Sequence, residues 1–506
     1  MNSIQLLTIF MLLFIVSCET PPKENLTLEE VKSDLAYLDN FMQQYSSYAS
    51  LNGYDYQKDF EAYLKTLKEE DNSRVELGLF LEEMIGKLGD RHASIKGYDL
   101  PNARFLPFTA APYQDKVIGL EYDVEQKQYF ILHPQFPYLK SINGIPIYDF
   151  LKKIRPDDLS APAVSYHTRA VKRLKYMEEN YAIMQKECPA VFDFVFTNDE
   201  TDTLIQMPLE TERNKHFTWA EKVVAYYGQE EGELNDAELI KELIQIDDNN
   251  MGYVRMSDMV APDEAPLYFE AFHQFMTKSS PPPQALIIDI RGNNGGSRDL
   301  VAALAQYVIH PDSIYVVNVA QQRGELPLSK EWIEDLNNRN LYAYHQVDTA
   351  EKAAIDRFNQ SFEPMYKLDD TKFSEMYYMV FNGQKITKPK TYFSNPVYIL
   401  GNEKCFSASS ILFSVFKGLD NVTLVGVNTD GSSGNKERFE LPHSKLKGKI
   451  STMVSFQKDG QVFDGIGTQP DIVIERNLEQ ILWQSDYQLE ELKRIIINKM
   501  ENKKDS

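Results

Sequence analysis

The chain has 506 residues, 43% hydrophobic and 25% charged, enough for about two to four globular domains with a sizeable core. A formal net charge of -22 argues against nucleic acid as a partner. Three cysteines, Cys18, Cys188 and Cys405, lie far apart and make no disulfide framework.

The first segment, MNSIQLLTIFMLLFIVSCET, has an apolar run from Ile4 to Val16, too short to span a bilayer comfortably. It reads as a signal sequence over residues 1–18. Ser17 followed by Cys18 resembles the lipobox of bacterial lipoproteins. That resemblance implies lipidation at Cys18 and a membrane-anchored protein of the bacterial envelope, periplasmic or surface, with its working parts outside the cytoplasm.

Residues 19–98 read as a tether and a helical domain. Thr27 and Glu30 form a capping box, and Leu28, Val31, Leu35, Leu38 and Met42 follow at helical spacing. Further helices are expected over 55–67 and from Ser73, the last stopped by Gly89 in "GKLGDRHAS". Residues 99–160 turn to strands near 117–122, 129–133 and 139–147, with Asn143-Gly144 as a hairpin turn and a helix from Tyr148. "INGIPI" is similar to a PDZ segment, which implies recognition of a polypeptide C-terminal tail. Residues 161–245 are charged and Tyr-rich and read as a connector without assignable chemistry.

From residue 246 to 480 the pattern is α/β. Strands are expected at 252–256, at "ALIIDIR", at 397–400 and at 423–427, with helices at 267–278, 299–308 and after Ser407. Residues 311–392 read as an insertion. An amphipathic helix is expected over 478–497, and 481–506 forms the C-terminal helix and tail.

"LIIDIRGNNGGSRDL" carries a buried strand into Gly292, Gly295 and Gly296 before a helix. It lacks both the G-x-x-x-x-G-K-S/T phosphate loop and the G-x-G-x-x-G dinucleotide fingerprint. Free amides above a sheet suit an oxyanion instead. In "EKCFSASSILF", Ser407, Ser409 and Ser410 crowd one helix start, where a single capping hydroxyl suffices. A serine there lies at the positive end of the helix dipole. The Ala408 amide and that of Gly295 or Gly296 are the candidate oxyanion donors. Cys405 reads as a small buried residue rather than a nucleophile. No His/Cys/Asp cluster has metal-ligand spacing, so neither metal nor cofactor is expected.

The order of "GYVRM", "DIRGNNGG", "SASSI", "LVGVNTDGSSG" and "GIGTQPDI" resembles the C-terminal processing (tail-specific) peptidases, across roughly residues 75–475. The resemblance implies a crotonase/Clp-protease-like α/β core, a serine peptidase activity, and Ser407 as nucleophile. Many members place a lysine base where this chain has Ser432; Lys436 stands four residues later. "LGDRHAS" is closer to the tricorn-core-like histidine branch, which makes His92 the base. Asp464 in "FDGIGTQPD" takes the orienting acid's position, with Asp90 as the local alternative. Arg91 stands where that branch has a relay serine. The rivals are an inactive peptide-binding lipoprotein and a different hydrolase or acyl-transfer enzyme on the same core.

Overall fold

The computed structural model describes residues 23–154, 160–220 and 233–504. The signal segment and Cys18 lie outside the described residues. Among the described residues, no helix is long and apolar enough to cross a membrane.

The N-terminal region holds helices Leu28–Tyr45, Tyr56–Leu64 and Arg74–Leu88. The capping box is present: Thr27 accepts from the Glu30 amide while Glu30 accepts from the Thr27 amide. Gly89 ends the third helix at φ 83°, the left-handed conformation that glycine adopts without strain. The apolar stripe of these helices buries against Phe439, Leu441, Leu446 and Ile450 of a distant hairpin. That hairpin pairs Lys436–Glu440 with Lys447–Ser451, and strand Ser94–Lys96 joins its edge. The turn bearing His92, between helix Arg74–Leu88 and strand Ser94–Lys96, is thereby held to the C-terminal half of the chain.

The middle domain is an antiparallel sheet. Its strands run in the order 202–208, 191–197, 138–142, 116–123, 109–113. Asn143 and Gly144 both have positive φ, as the expected two-residue hairpin requires. The region read as a connector instead completes this domain. "VFDFVFT" alternates strictly, and Phe192, Phe194 and Phe196 are fully buried in the domain core. Helix Ala163–Arg173 lies along the edge strand Thr109–Tyr113 and against helix Ile147–Ile154.

The α/β half is built on a six-stranded sheet. Strands Met251–Arg255, Ala285–Asp289, Val397–Gly401, Val422–Gly426 and Ile472–Val473 run parallel, with Ile244–Ile246 antiparallel at one edge. Continuous apolar runs fit strands covered on both faces. Ile287, Ile288, Ile399 and Leu424 are fully buried, each stabilising the fold by about 1.5–3 kcal/mol. The stretch read as an insertion contributes to the core of this half. Strands Ile314–Gln322, Tyr342–Ala343 and Tyr377–Asn382 form a second sheet with Met453–Gln457. Val317, Ala320, Met379 and Phe381 pack in one cluster with Ile411, Leu412 and Phe413. The C-terminal helical pattern divides into Leu478–Ile481 and Tyr487–Lys504, with Trp483 at positive φ between them.

Candidate active site

Strand Val397–Gly401 turns through Phe406 into helix Ala408–Val415, whose every residue is buried. Ser407 stands at the junction with φ 55° and ψ -123°. A non-glycine residue rarely holds that conformation, and such strain clusters at functional sites. A strand–turn–helix with a strained serine at its apex is the arrangement that exposes a nucleophile. The three serines separate by their partners. Ser409 Oγ donates to the Asn293 carbonyl at 2.6 Å, and Ser410 Oγ pairs with Thr429 Oγ1 at 3.2 Å. Ser407 occupies the cap position, yet its side chain makes no capping bond. Its hydroxyl is therefore left for another task.

The glycine loop closes on this turn. A Cβ on Gly295 would stand 2.7 Å from Ser407 Cβ and 2.8 Å from the Ala408 nitrogen. One on Gly296 would meet the Met259 carbonyl at 2.2 Å. Only glycine permits this approach. The Gly295 amide is already engaged, donating to Asn293 Oδ1 at 2.8 Å. Ala408 opens its helix, where an N–H has no intrahelical acceptor. Asn293 was not singled out from the sequence, yet it organises both loops. Its Nδ2 donates to the Met256 carbonyl, and its carbonyl accepts from the Phe406 amide.

His92 arrives from the other end of the chain. Its ring packs on that of Phe406, centroids 4.8 Å apart, so it shares the neighbourhood of Ser407. Its turn is fastened by Asp90, whose Oδ1 accepts the amides of His92 at 2.9 Å and Ala93 at 3.1 Å. Asp90 also accepts the amide and hydroxyl of Ser451. Burial pushes the imidazole down to about 3, and the positive charges of Lys449, Lys436 and Arg91 act in the same direction, opposed by Asp430. The ring is therefore neutral at ordinary pH. Its Nδ1 is buried without a hydrogen-bond partner. No hydrogen bond joins His92 to Ser407 among the described residues.

Asp464 lies beside this turn rather than on the imidazole. Oδ1 accepts the Arg91 amide at 3.1 Å and Oδ2 accepts the Ser433 hydroxyl at 3.1 Å. Burial, with the neighbouring Asp90 carboxylate, raises it to about 7. Ser432, at the sequence position of the missing lysine, accepts the Ser407 amide at 2.8 Å. Lys436 stands on an exposed position of its hairpin strand. Cys405 is buried, donates to the Ile290 carbonyl at 3.2 Å, and is pushed up to about 12 by burial. Its thiol is inert at neutral pH.

Arg91 and Asp430 form a buried ion pair at 3.1 Å. The same carboxylate takes Arg169 at 3.0 Å and the Ser165 hydroxyl, both from helix Ala163–Arg173. Burial works against the charge of Asp430, but the two guanidiniums hold it below the usual carboxylate range. The acid sits inside "NTDGSSG", where nothing in the sequence pattern marks it. Among the described residues, no three His, Cys, Asp or Glu side chains converge as a metal site.

Residues 250–474 match the family model "Peptidase family S41". An uncharacterized protein of Chlamydia muridarum (strain MoPn / Nigg) is 24% identical over 249 residues, covering 45% of this chain and 41% of that one. A Chlamydia pneumoniae protein is 24% identical over 283 residues, covering 51% of this chain and 45% of its own. The chain thus spans less than half the length of these curated relatives. The crystal structure of mature CPAF shares the fold with TM-score 0.62 at 16% identity, over 94% of this chain and 98% of that one. The five parallel strands, the glycine loop and the serine elbow fall inside the matched span, and residues 250–474 of this chain form a domain of peptidase family S41.

Proposed function

We propose that the protein is a serine endopeptidase in which Ser407 is the nucleophile and His92 the base. The observation that carries this reading is the strained Ser407, excused from capping, pressed against Gly295 and flanked by the His92–Phe406 contact. Ser407 Oγ attacks the scissile carbonyl carbon as its proton passes to His92. The Ala408 and Gly296 amides hold the oxyanion, the Gly295 amide being occupied by Asn293. The imidazolium then protonates the departing amine, and water, deprotonated by the same ring, releases the acyl group. Peptide binding draws the imidazole onto the Ser407 hydroxyl, as catalytic hydrogen bonds commonly tighten in the substrate complex. Asp464 orients the histidine turn through the Arg91 amide.

The finer reading is an envelope lipoprotein anchored at Cys18 that takes polypeptide C-terminal tails. Helix Ala163–Arg173 packs beside the edge strand Thr109–Tyr113, and the site we assign to a tail lies on the other side of that helix's start. That site is a cavity of about 840 Å³ between the middle domain and the α/β half, lined by Leu151, Val164, Tyr166, Val427 and Arg476. The test compares cleavage of one unfolded polypeptide with a free and an amidated C-terminus. Cleavage by the wild type and none by Ser407→Ala supports the peptidase; a faster rate on the free carboxylate supports tail recognition. Binding without cleavage by the wild type favours the inactive scaffold, to which the unpartnered His92 Nδ1 also points.

A further inference from the structure

Asp430 joins three parts of the chain at one buried carboxylate. Its backbone amide donates to the Cys405 carbonyl at 3.1 Å, two residues before Ser407. Its side chain, wholly buried, receives Arg91 Nη2 at 3.1 Å and 3.3 Å from the histidine turn. It also receives Arg169 Nη2 at 3.0 Å and the Ser165 hydroxyl from the middle domain. Arg91 is pinned twice, its guanidinium to Asp430 and its backbone amide to Asp464. The next residue is His92. Arg169 lies over one ring that His92 also touches, 5.6 Å from the Phe406 centroid.

We propose that Asp430 is a positioning residue that fixes His92 through Arg91, and that Arg169 and Ser165 make this placement depend on the seating of helix Ala163–Arg173. The inference rests on the serine-peptidase reading for its consequence but not for its geometry. A purely structural ion cluster would serve as well anywhere in the domain interface. This one spans from the residue before the base to the loop carrying the nucleophile. Its negative charge also favours the imidazolium that proton transfer creates, against the surrounding lysines and Arg91. A carboxylate suits two guanidiniums because it accepts from both while staying ionised.

The test uses the full chain labelled with ¹³C at histidine Cε1, the His92 resonance being assigned with His92→Gln. Asp430→Asn and Arg91→Met each shift that resonance and slow fluorophosphonate labelling of Ser407 by about tenfold or more. Arg91→Lys recovers part of both. The Arg91→Met/Asp430→Asn double variant, which leaves no lone charge between the pair, matches the single variants rather than multiplying their effects. Arg169→Met, at a half-exposed side chain, shifts the resonance in the same sense by less. An unchanged His92 resonance in folded Asp430→Asn or in the double variant overturns the proposal, as do multiplied effects. An unchanged resonance in Arg169→Met overturns the coupling to the helix. Failure of the wild type to label at Ser407 overturns the peptidase reading alone, since the resonance still reports on positioning.

Discussion

The Ser432 hydroxyl accepts the backbone N–H of Ser407 at 2.8 Å. This bond holds Ser407 at the point of its turn where φ is 55°. Ser432→Ala removes the acceptor and leaves a buried amide unpaired. Such a loss costs about 1–3 kcal/mol, concentrated on the elbow itself. The expected result is a roughly ten-fold lower kcat with KM for a peptide nearly unchanged, measured by steady-state cleavage.

Strain at Ser407 also has a stability signature. Ser407→Gly relieves the positive φ, whereas Ser407→Ala keeps it. The glycine variant should be more stable than the alanine variant by about 1 kcal/mol, read from urea unfolding, although both lack activity.

Gly295 faces Ser407 with no room for a side chain. Gly295→Ala places a methyl against Ser407 Cβ and the Ala408 nitrogen. The neighbours are backbone and Ser407 itself, so they cannot yield without moving the turn. Labelling of Ser407 should fall by about 100-fold or more, the scale of losing an oxyanion donor.

Asp464 and His92 respond to pH in opposite senses. Asp464 is raised to about 7, so the folded state binds more protons than the unfolded one between the ordinary carboxylate range and neutrality. The stability it contributes is present in acid and is lost as pH rises through about 7. His92 is lowered to about 3, so its contribution is present above its ordinary value of 6.5 and is lost as pH falls toward 3. Asp464→Asn removes the alkaline loss and keeps an acceptor for the Arg91 amide. Near pH 8 it should stabilise the protein by roughly 2–4 kcal/mol, with little effect near pH 4. Its peptidase activity should be largely kept, because the substitution retains the acceptor through which Asp464 orients the histidine turn. Chemical denaturation at the two pH values checks the first statement and peptide cleavage the second.

Much of this architecture is legible in local pattern. The capping box at Thr27, the Asn143-Gly144 hairpin and the all-buried "ALIID" strand follow directly from residue type and spacing. The same holds for the crowding of Ser407, Ser409 and Ser410, whose separate roles only contacts reveal. Two regions defeat pattern reading for physical reasons. Residues 311–392 are dense in polar and aromatic residues, and their strands are buried by distant partners, helix Ala408–Val415 on one face and Val454 and Phe456 on the other. The "VFDFVFT" strand alternates cleanly but is masked by the charged helices Ala163–Arg173 and Met177–Ile183 that precede it. Asp430 and Asn293 lie inside motifs that carry the resemblance, but no local pattern gives either a role. Each is a single polar residue whose importance comes from groups more than a hundred positions away, Asn293 on Phe406 and Asp430 on Arg91 and Arg169.

The central claim is that a neutral imidazole from the first hundred residues activates a serine three hundred positions on. Intact-mass and peptide mapping after reaction with a fluorophosphonate test it most directly. The account predicts one adduct per chain, on Ser407, formed by the wild type, absent in Ser407→Ala and slowed by about 100-fold or more in folded His92→Ala. An adduct on another residue, or full-rate labelling of Ser407 without His92, contradicts it.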